Sequence, residues 1–304
     1  MATYAKTSFN AARYAVARPT YPQQLFDFVF RYHERDAKAR WETAVDLGCG
    51  TGQATIELKP FQHVIGTDPS NTMIEQAKEA TRTAAFSGKL EFKQAKAEEL
   101  TFLEDSSVDL ITSAQSAHWY DWTKVWKEAA RVLRPHGTLA AWGYSEFRLP
   151  RYPSAAGLIH AYSRGTDATD SIGPHWEQPG RSVVDDHLVA VPDPDAVVPG
   201  AFRDFERVYF SGDYHAHLLA PRPIILRKTV TWDGLLDYLR SSSAFHTHQA
   251  KFPQDKENPA GDVAKRFRDK LMEYAAEQDG GAVPSETDEV VIEWPVALLL
   301  ARRV

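Results

Sequence analysis

The sequence predicts an α/β protein built on a parallel β-sheet with helices on both faces. Three observations predict it. Between residues 45 and 144, short apolar runs alternate with stretches of helical periodicity. The first run ends in a glycine-rich turn, Gly48-Cys49-Gly50-Thr51-Gly52, and the second ends on an aspartate, Asp68. A strand–helix–strand order of this kind needs crossover connections, which make the strands parallel and lay helices over the sheet.

Each element has its own signal. Pro22 suits a helix start, and Leu25, Phe26, Val29 and Phe30 mark that helix's buried side. Residues 44–47 form the first strand, followed by a short helical stretch from Gln53, and residues 63–67 form the second. Ser70 then caps a helix carrying Met73, Ile74 and Ala77 on one side. Residues 90–94 alternate like a strand and residues 108–113 are another. Asp121 opens a helix with Val125, Trp126, Ala129, Val132 and Leu133 at helical spacing, stopped by Pro135-His136-Gly137 before a strand at 138–142. Further on, residues 148–200 are rich in Pro, Gly and Asp, with the best helix at 155–164. Thr231-Trp232-Asp233 caps a helix through Leu235, Leu236 and Leu239, another helix runs near 263–277, and residues 205–210 and 290–300 read as two late strands.

Composition narrows the function. At 304 residues with 43% hydrophobic and 25% charged side chains, the chain can bury a sizeable core without staples. A net charge of −6, with no Lys/Arg run longer than two, argues against nucleic acid as a partner, because phosphate binding needs a concentrated cationic face. Cys49 is the only cysteine, which excludes an intramolecular disulfide and a multi-cysteine zinc site. No apolar stretch, even residues 296–301, approaches the ~18 residues of a membrane span. The start Met-Ala-Thr-Tyr-Ala-Lys lacks the apolar core of a secretory leader, so a cytoplasmic protein with no membrane partner is expected.

The glycine turn carries the chemistry. Glycines between a strand and its helix let the backbone approach a charged ligand closely, and the helix start adds oriented N–H groups. The spacing Gly48-x-Gly50-x-Gly52 is not the G-x-G-x-x-G of dinucleotide binders. Asp46 precedes it, and Asp68 follows Gly48 by twenty positions at the end of the second strand, where a carboxylate accepts hydrogen bonds from ribose hydroxyls. The arrangement fits a nucleoside ligand.

Val45-Asp46-Leu47-Gly48-Cys49-Gly50-Thr51-Gly52 resembles motif I of class I S-adenosylmethionine-dependent methyltransferases. Ala97-Glu98-Glu99-Leu100, Ser107-Val108-Asp109-Leu110-Ile111 and Arg131-Val132-Leu133-Arg134-Pro135-His136-Gly137 resemble later motifs of that family in the same order. The resemblance implies a Rossmann-like seven-stranded sheet, mostly parallel, with an antiparallel C-terminal strand pair. It also implies S-adenosylmethionine as cofactor, held by Asp46, Gly48, Gly50, Gly52, Asp68, Pro69, Ala97, Glu98 and Gln115. Asp46 is the expected acceptor near the cofactor's ammonium group. Two positions depart from the pattern: Lys96 stands where an acidic residue is usual, and His136 replaces the first glycine of a Pro-Gly-Gly turn.

A narrower likeness, to the trans-aconitate methyltransferase-like branch, rests on residues 14–22, on Gln115-Ser116-Ala117-His118-Trp119-Tyr120-Asp121 and on Trp142-Gly143-Tyr144. That branch is associated with methyl esters of small carboxylic acids. A carboxylate acceptor is already nucleophilic and needs only orientation, for which Arg18 has the forked geometry; a surface arginine paired with an acid is the alternative. Tyr14 and Tyr21 either close the pocket or are packing aromatics. His118 is a base, a hydrogen-bond donor to the acceptor, or a structural histidine holding its loop, and Trp119 is pocket wall or core.

The resulting expectation is one methyltransferase domain over 1–304, with an N-terminal helical flap at 1–40 and inserted or cap segments at 148–204 and 211–288. Residues 14–22 are expected to order as a lid when cofactor binds. The chain is expected to act as a monomer or homodimer on a small-molecule acceptor, a carboxylic acid. The alternatives are a phenolic or amine natural product, with His118 as base, and a non-catalytic S-adenosylmethionine-binding protein. His215, His217, His246 and His248 lack a recognisable ligand spacing and read as solvated loop residues, so no metal is expected.

Overall fold

The structure, a computed structural model, describes residues 18–304, so Tyr14 and the rest of 14–17 lie outside the described residues. The chain divides into two compact units. A sheet unit comprises Thr20–Ser145, Ser182–Ile225 and Val296–Val304; the second unit comprises Glu146–Arg181, Leu226–Pro295 and, among the described residues before Thr20, Arg18 and Pro19. Of the stretches expected as insertions, 182–204 and 211–225 cluster with the sheet and 148–181 and 226–288 with the second unit.

The sheet unit begins with helix α1 (Gln23–Glu34), which buries Leu25, Phe26 and Val29. Five parallel strands follow: β1 (Thr43–Leu47), β2 (His63–Asp68), β3 (Lys89–Gln94), β4 (Val108–Ala114) and β5 (Leu133–Tyr144). Helix α2 (Asn71–Thr81) lies between β2 and β3, and α3 (Trp122–Val132) between β4 and β5. Strand β6 (Phe202–Phe210) and the last strand, β9 (Val296–Arg303), complete seven strands in the order β3-β2-β1-β4-β5-β9-β6. β9 runs antiparallel to both β5 and β6. This is the Rossmann-like fold the sequence predicts, with the antiparallel pair at its C-terminal edge.

Local chemistry accounts for these elements. Interior strands of the sheet are covered on both faces and therefore read as continuous apolar runs, as in Val64-Ile65 of β2 and Leu298-Leu299-Leu300 of β9, all buried. The edge strand β3 is half-exposed and carries charges. Ser70 caps α2 by accepting from the Met73 N–H, and Asp121 caps α3 by accepting from the Thr123 N–H. The chain passes from α3 directly into β5, and His136 takes a left-handed backbone (φ 73°) with its Nδ1 2.8 Å from the Asp36 carboxylate. The short helical stretch expected from Gln53 is one 3-10 turn, Thr55–Glu57.

Asp109 ties three strands at their N-terminal ends. Its Oδ2 accepts the Glu42 and Thr43 N–H groups at 3.0 and 2.9 Å, and Arg134 donates to both of its oxygens at 2.8 and 2.9 Å. Removing one partner of such a buried cluster strands the others. Asp109→Ala is therefore expected to lower stability by about 3 kcal/mol, read from the urea midpoint. A loss under about 1 kcal/mol would mean that water replaces the carboxylate there.

The second unit is built from an antiparallel pair, β7 (Leu226–Thr231) with β8 (Glu289–Trp294), and helices α4 (Ala156–Arg164), α5 (Trp232–Arg240), α6 (Ser243–Lys251) and α7 (Val263–Asp279). Tyr162 stacks on Phe267 at 4.0 Å, and the Trp294 indole N–H donates to the Tyr238 hydroxyl at 2.8 Å. Two expectations are corrected here. The run 290–300 is not one strand: Pro295, which has no N–H to give a ladder, separates β8 from β9, and the two belong to different sheets. The 246–248 segment is not a solvated loop: it lies on α6, capped by Ser242, and His248 is fully buried against the His175 ring. Among the described residues, no helix is long and apolar enough to cross a membrane.

Candidate cofactor and acceptor site

The glycine turn leaves the carboxyl end of β1, the edge at which open parallel sheets bind ligands. Gly48, Gly50 and Gly52 all hold left-handed backbone, φ 62°, 53° and 83°. Their surroundings differ. A Cβ on Gly48 would meet Ser116 Oγ at 2.4 Å and Tyr120 Oη at 2.8 Å, and one on Gly52 would meet Thr81 at 3.1 Å and Phe92 at 3.3 Å. At Gly50 it would meet nothing within 4 Å among the described residues. Among the described residues, only the middle glycine of the turn opens onto free space.

Asp68 borders that glycine. Its Oδ2 accepts the Gly50 N–H at 3.1 Å and its Oδ1 the Ser70 N–H at 2.8 Å. Each oxygen keeps a lone pair for a further donor. Burial pushes the carboxyl's pKa up, against the lowering effect of those two N–H bonds. The turn is also fastened from below, where Cys49 donates its N–H to the Thr67 carbonyl at 2.8 Å.

Asp46 lies beneath the turn, fully buried on β1. Its two oxygens accept the hydroxyls of Thr55 at 2.7 Å and Thr112 at 2.9 Å. Burial pushes its pKa up to about 6; the two threonine bonds pull it down and the Asp68 charge pushes it further up. Neither threonine stands out in the sequence, since a carboxylate's partners at separations of 9 and 66 residues leave no local pattern.

The loop after β4 flanks the turn. Gln115 takes a left-handed backbone (φ 56°), and its amide accepts the Tyr144 N–H at 2.5 Å and donates to the Tyr144 carbonyl at 3.1 Å. The side chain thus adds a rung between β4 and β5 beyond the end of their ladder. His118 and Trp119 sit on the 3-10 turn Ala117–Trp119, their rings 4.7 Å apart. Trp119 is 39% exposed, which removes the core reading for it. Trp122 anchors this turn by donating its indole N–H to the Ala117 carbonyl at 2.8 Å.

The remaining candidates take structural contacts. Pro69 is exposed, and its carbonyl accepts from Gln94 at 2.9 Å. Ala97 is buried, and Glu98 accepts the Asp121 N–H at 2.9 Å, joining the third motif to the start of α3. Tyr21 packs edge-on against Trp142 at 5.7 Å in the sheet unit. Arg18 belongs to the second unit, its guanidinium 5.3 Å from the Tyr238 ring centre and 3.4 Å from the Ser241 carbonyl. At the end of β5, buried Ser145 lies 3.3 Å from His187 Nε2, and the His187 ring is 4.1 Å from that of His215. Ser145 and His187 carry no sequence signal, because they sit in or beside the irregular stretch from 148. Among the described residues, no three metal-ligating side chains converge.

Comparison with known proteins adds to this geometry. Residues 45–141 match the family model described as a methyltransferase domain. A Saccharomyces cerevisiae protein named as a probable S-adenosylmethionine-dependent methyltransferase, CRG1, is 32% identical over 54% of this chain and 56% of its own length. Methyltransferase gedG of Aspergillus terreus is 34% identical over 44% of this chain and 41% of its own. The chain thus spans about half the length of the curated relatives it matches. A solved structure from Anaeromyxobacter dehalogenans, named as a candidate type II methyltransferase, superposes with a TM-score of 0.64 over 94% of this chain and 97% of its own; at 23% identity it shows the shared fold.

Proposed function

We propose that the chain, whose residues 45–141 match a methyltransferase domain, uses S-adenosylmethionine to methylate a small molecule, forming the methyl ester of a carboxylic acid. The observation that carries the cofactor half of this reading is the free space over Gly50 beside the spare lone pairs of Asp68. Backbone without a side chain admits the nucleoside closely, and a carboxylate there accepts ribose hydroxyls. Asp46 supplies counter-charge for the ammonium group, and Gln115 holds the β4 and β5 ends that border it.

When bound, S-adenosylmethionine supplies an electrophilic methyl group on a sulfonium. The protein's own contribution is alignment and exclusion of water. In the sheet unit, Trp119 with His118 is read as the wall that confines the acceptor; the reading of Arg18 as the group that orients its carboxylate rests on the sequence. A carboxylate is ionised at neutral pH, so this reaction asks no proton transfer of His118. The acidic balance of the chain supports a small acceptor over nucleic acid.

A second reading, a phenol or amine acceptor, gives His118 a working role, and it draws support from that histidine's place beside the exposed Trp119. One experiment separates the two. Methyl transfer from labelled S-adenosylmethionine is measured on a panel of small di- and tricarboxylates, phenols and amines, for wild type and His118→Ala. Carboxyl methylation is expected to give a base-labile product, with His118→Ala within about tenfold of wild type, the minimum usually contributed by a general base being about a hundredfold. A base-stable product whose formation is lost in His118→Ala, with cofactor still bound, would replace the ester reading by the second.

A further inference from the structure

A part-buried hydroxyl cluster lies under the first glycine of the turn. Tyr120 Oη is 2.7 Å from Ser116 Oγ and 3.0 Å from Ser113 Oγ, and the two serine hydroxyls are 2.9 Å apart. Both Tyr120 and Ser116 also reach the Leu47 carbonyl, at 2.8 and 3.0 Å. Three hydroxyls carry three protons. With five contacts among them, the three share these protons: Tyr120 and Ser116 are each placed to donate to the Leu47 oxygen, and Ser113 is within reach of both. Leu47 is the residue immediately before Gly48, so its carbonyl orientation fixes where the turn begins.

The same atoms explain why Gly48 is a glycine. A Cβ there would run into Ser116 Oγ and Tyr120 Oη at 2.4 and 2.8 Å. The first glycine serves the docking of the 115–120 loop, and the cluster in turn aims the open middle glycine. The loop held this way also carries His118 and Trp119 on its 3-10 turn. One set of hydroxyls therefore fastens both the cofactor turn and the segment read as acceptor wall.

We propose that Tyr120, with Ser116, is a positioning residue that sets the glycine turn for cofactor binding by holding the Leu47 carbonyl. The inference rests on the methyltransferase reading above. Tyr120→Phe keeps the ring and deletes one of the two donors. Ser116→Ala deletes the other and serves if the first variant folds poorly. The control is Tyr32→Phe, which loses one buried hydroxyl bond, to the Asp204 carbonyl at 2.6 Å, on α1 of the same unit.

The test measures S-adenosylhomocysteine affinity by calorimetry, and hydrogen exchange at the Cys49 and Gly50 amides without ligand. Tyr120→Phe and Ser116→Ala are each expected to bind about tenfold more weakly and to exchange about tenfold faster at those amides, the size of one lost buried hydrogen bond. Tyr32→Phe is expected to stay within about twofold of wild type in both, with a comparable fall in melting temperature. Wild-type affinity in both hydroxyl variants overturns the proposal, and so does an equal loss in Tyr32→Phe, which would mark a general stability effect. Folded wild type that binds no S-adenosylhomocysteine overturns the methyltransferase reading itself and this inference with it.

Discussion

Gly50→Ala is expected to weaken S-adenosylhomocysteine binding at least about a hundredfold, roughly 2.7 kcal/mol, while lowering the melting temperature by only a few degrees. The added methyl meets no described atom within 4 Å, so the folded protein bears only the left-handed strain at φ 53°, about 1 kcal/mol. The same methyl enters the space assigned to the cofactor. Gly48→Ala should do the reverse. Its methyl meets the Ser116 and Tyr120 hydroxyls at 2.4 and 2.8 Å, and relief requires moving the whole hydroxyl cluster. A stability loss of roughly 2–4 kcal/mol follows, approaching ten degrees of melting temperature. Melts and calorimetry on both variants, with and without S-adenosylhomocysteine, separate the two effects. Retained affinity in Gly50→Ala would sink the placement of the cofactor over that residue.

That contrast shows where sequence reading reaches its limit. The glycine pattern, the strand ending at Asp68 and the caps at Ser70 and Asp121 are local signals, and the structure places all of them as predicted. Which glycine of the turn is left open is a non-local question, because Ser116 and Tyr120, some 70 residues downstream, fill the space at Gly48. A signal for such packing is nonetheless present at Gly66. A glycine inside a strand suggests close approach, and a Cβ there would meet the Phe92 ring at 2.6 Å. Pro295 likewise announces the break between β8 and β9, but the apolar run on both sides hides it. Helix α6, SAFHTHQAK, has little apolar periodicity, so burial of His248 is illegible from spacing. Arg18 and His118 are reached through their chemistry and the resemblance of the segments that carry them.

Asp46→Asn is expected to make the protein more stable at pH 7.5 than wild type, yet far weaker toward cofactor. Burial raises the Asp46 pKa from 3.8 in the unfolded chain to about 6 in the fold. The native state therefore binds more protons between those values. The stabilisation from that bound proton is fully present below about pH 4 and is lost as pH rises through about 6. A rise of that size corresponds to roughly 2–3 kcal/mol, carried at neutral pH as the cost of a buried charge. Asparagine removes that titration. Its carbonyl accepts from one threonine and its amide donates to the other, whose hydroxyl can turn to accept. The stability difference, variant minus wild type, should accordingly grow from near zero at pH 4 to roughly 2 kcal/mol at pH 7.5. Cofactor affinity should move oppositely. A bound ammonium group repays the buried charge, so wild-type affinity should fall by up to about tenfold per pH unit below 6. Asp46→Asn should bind about a hundredfold more weakly at pH 7.5 and lose the slope that Asp46 contributes. Urea unfolding and S-adenosylhomocysteine calorimetry between pH 4.5 and 7.5 check both halves. A stability difference that does not change with pH would mean the carboxylate is ionised throughout, and the charge would then be a fixed part of the fold instead of one held for the cofactor.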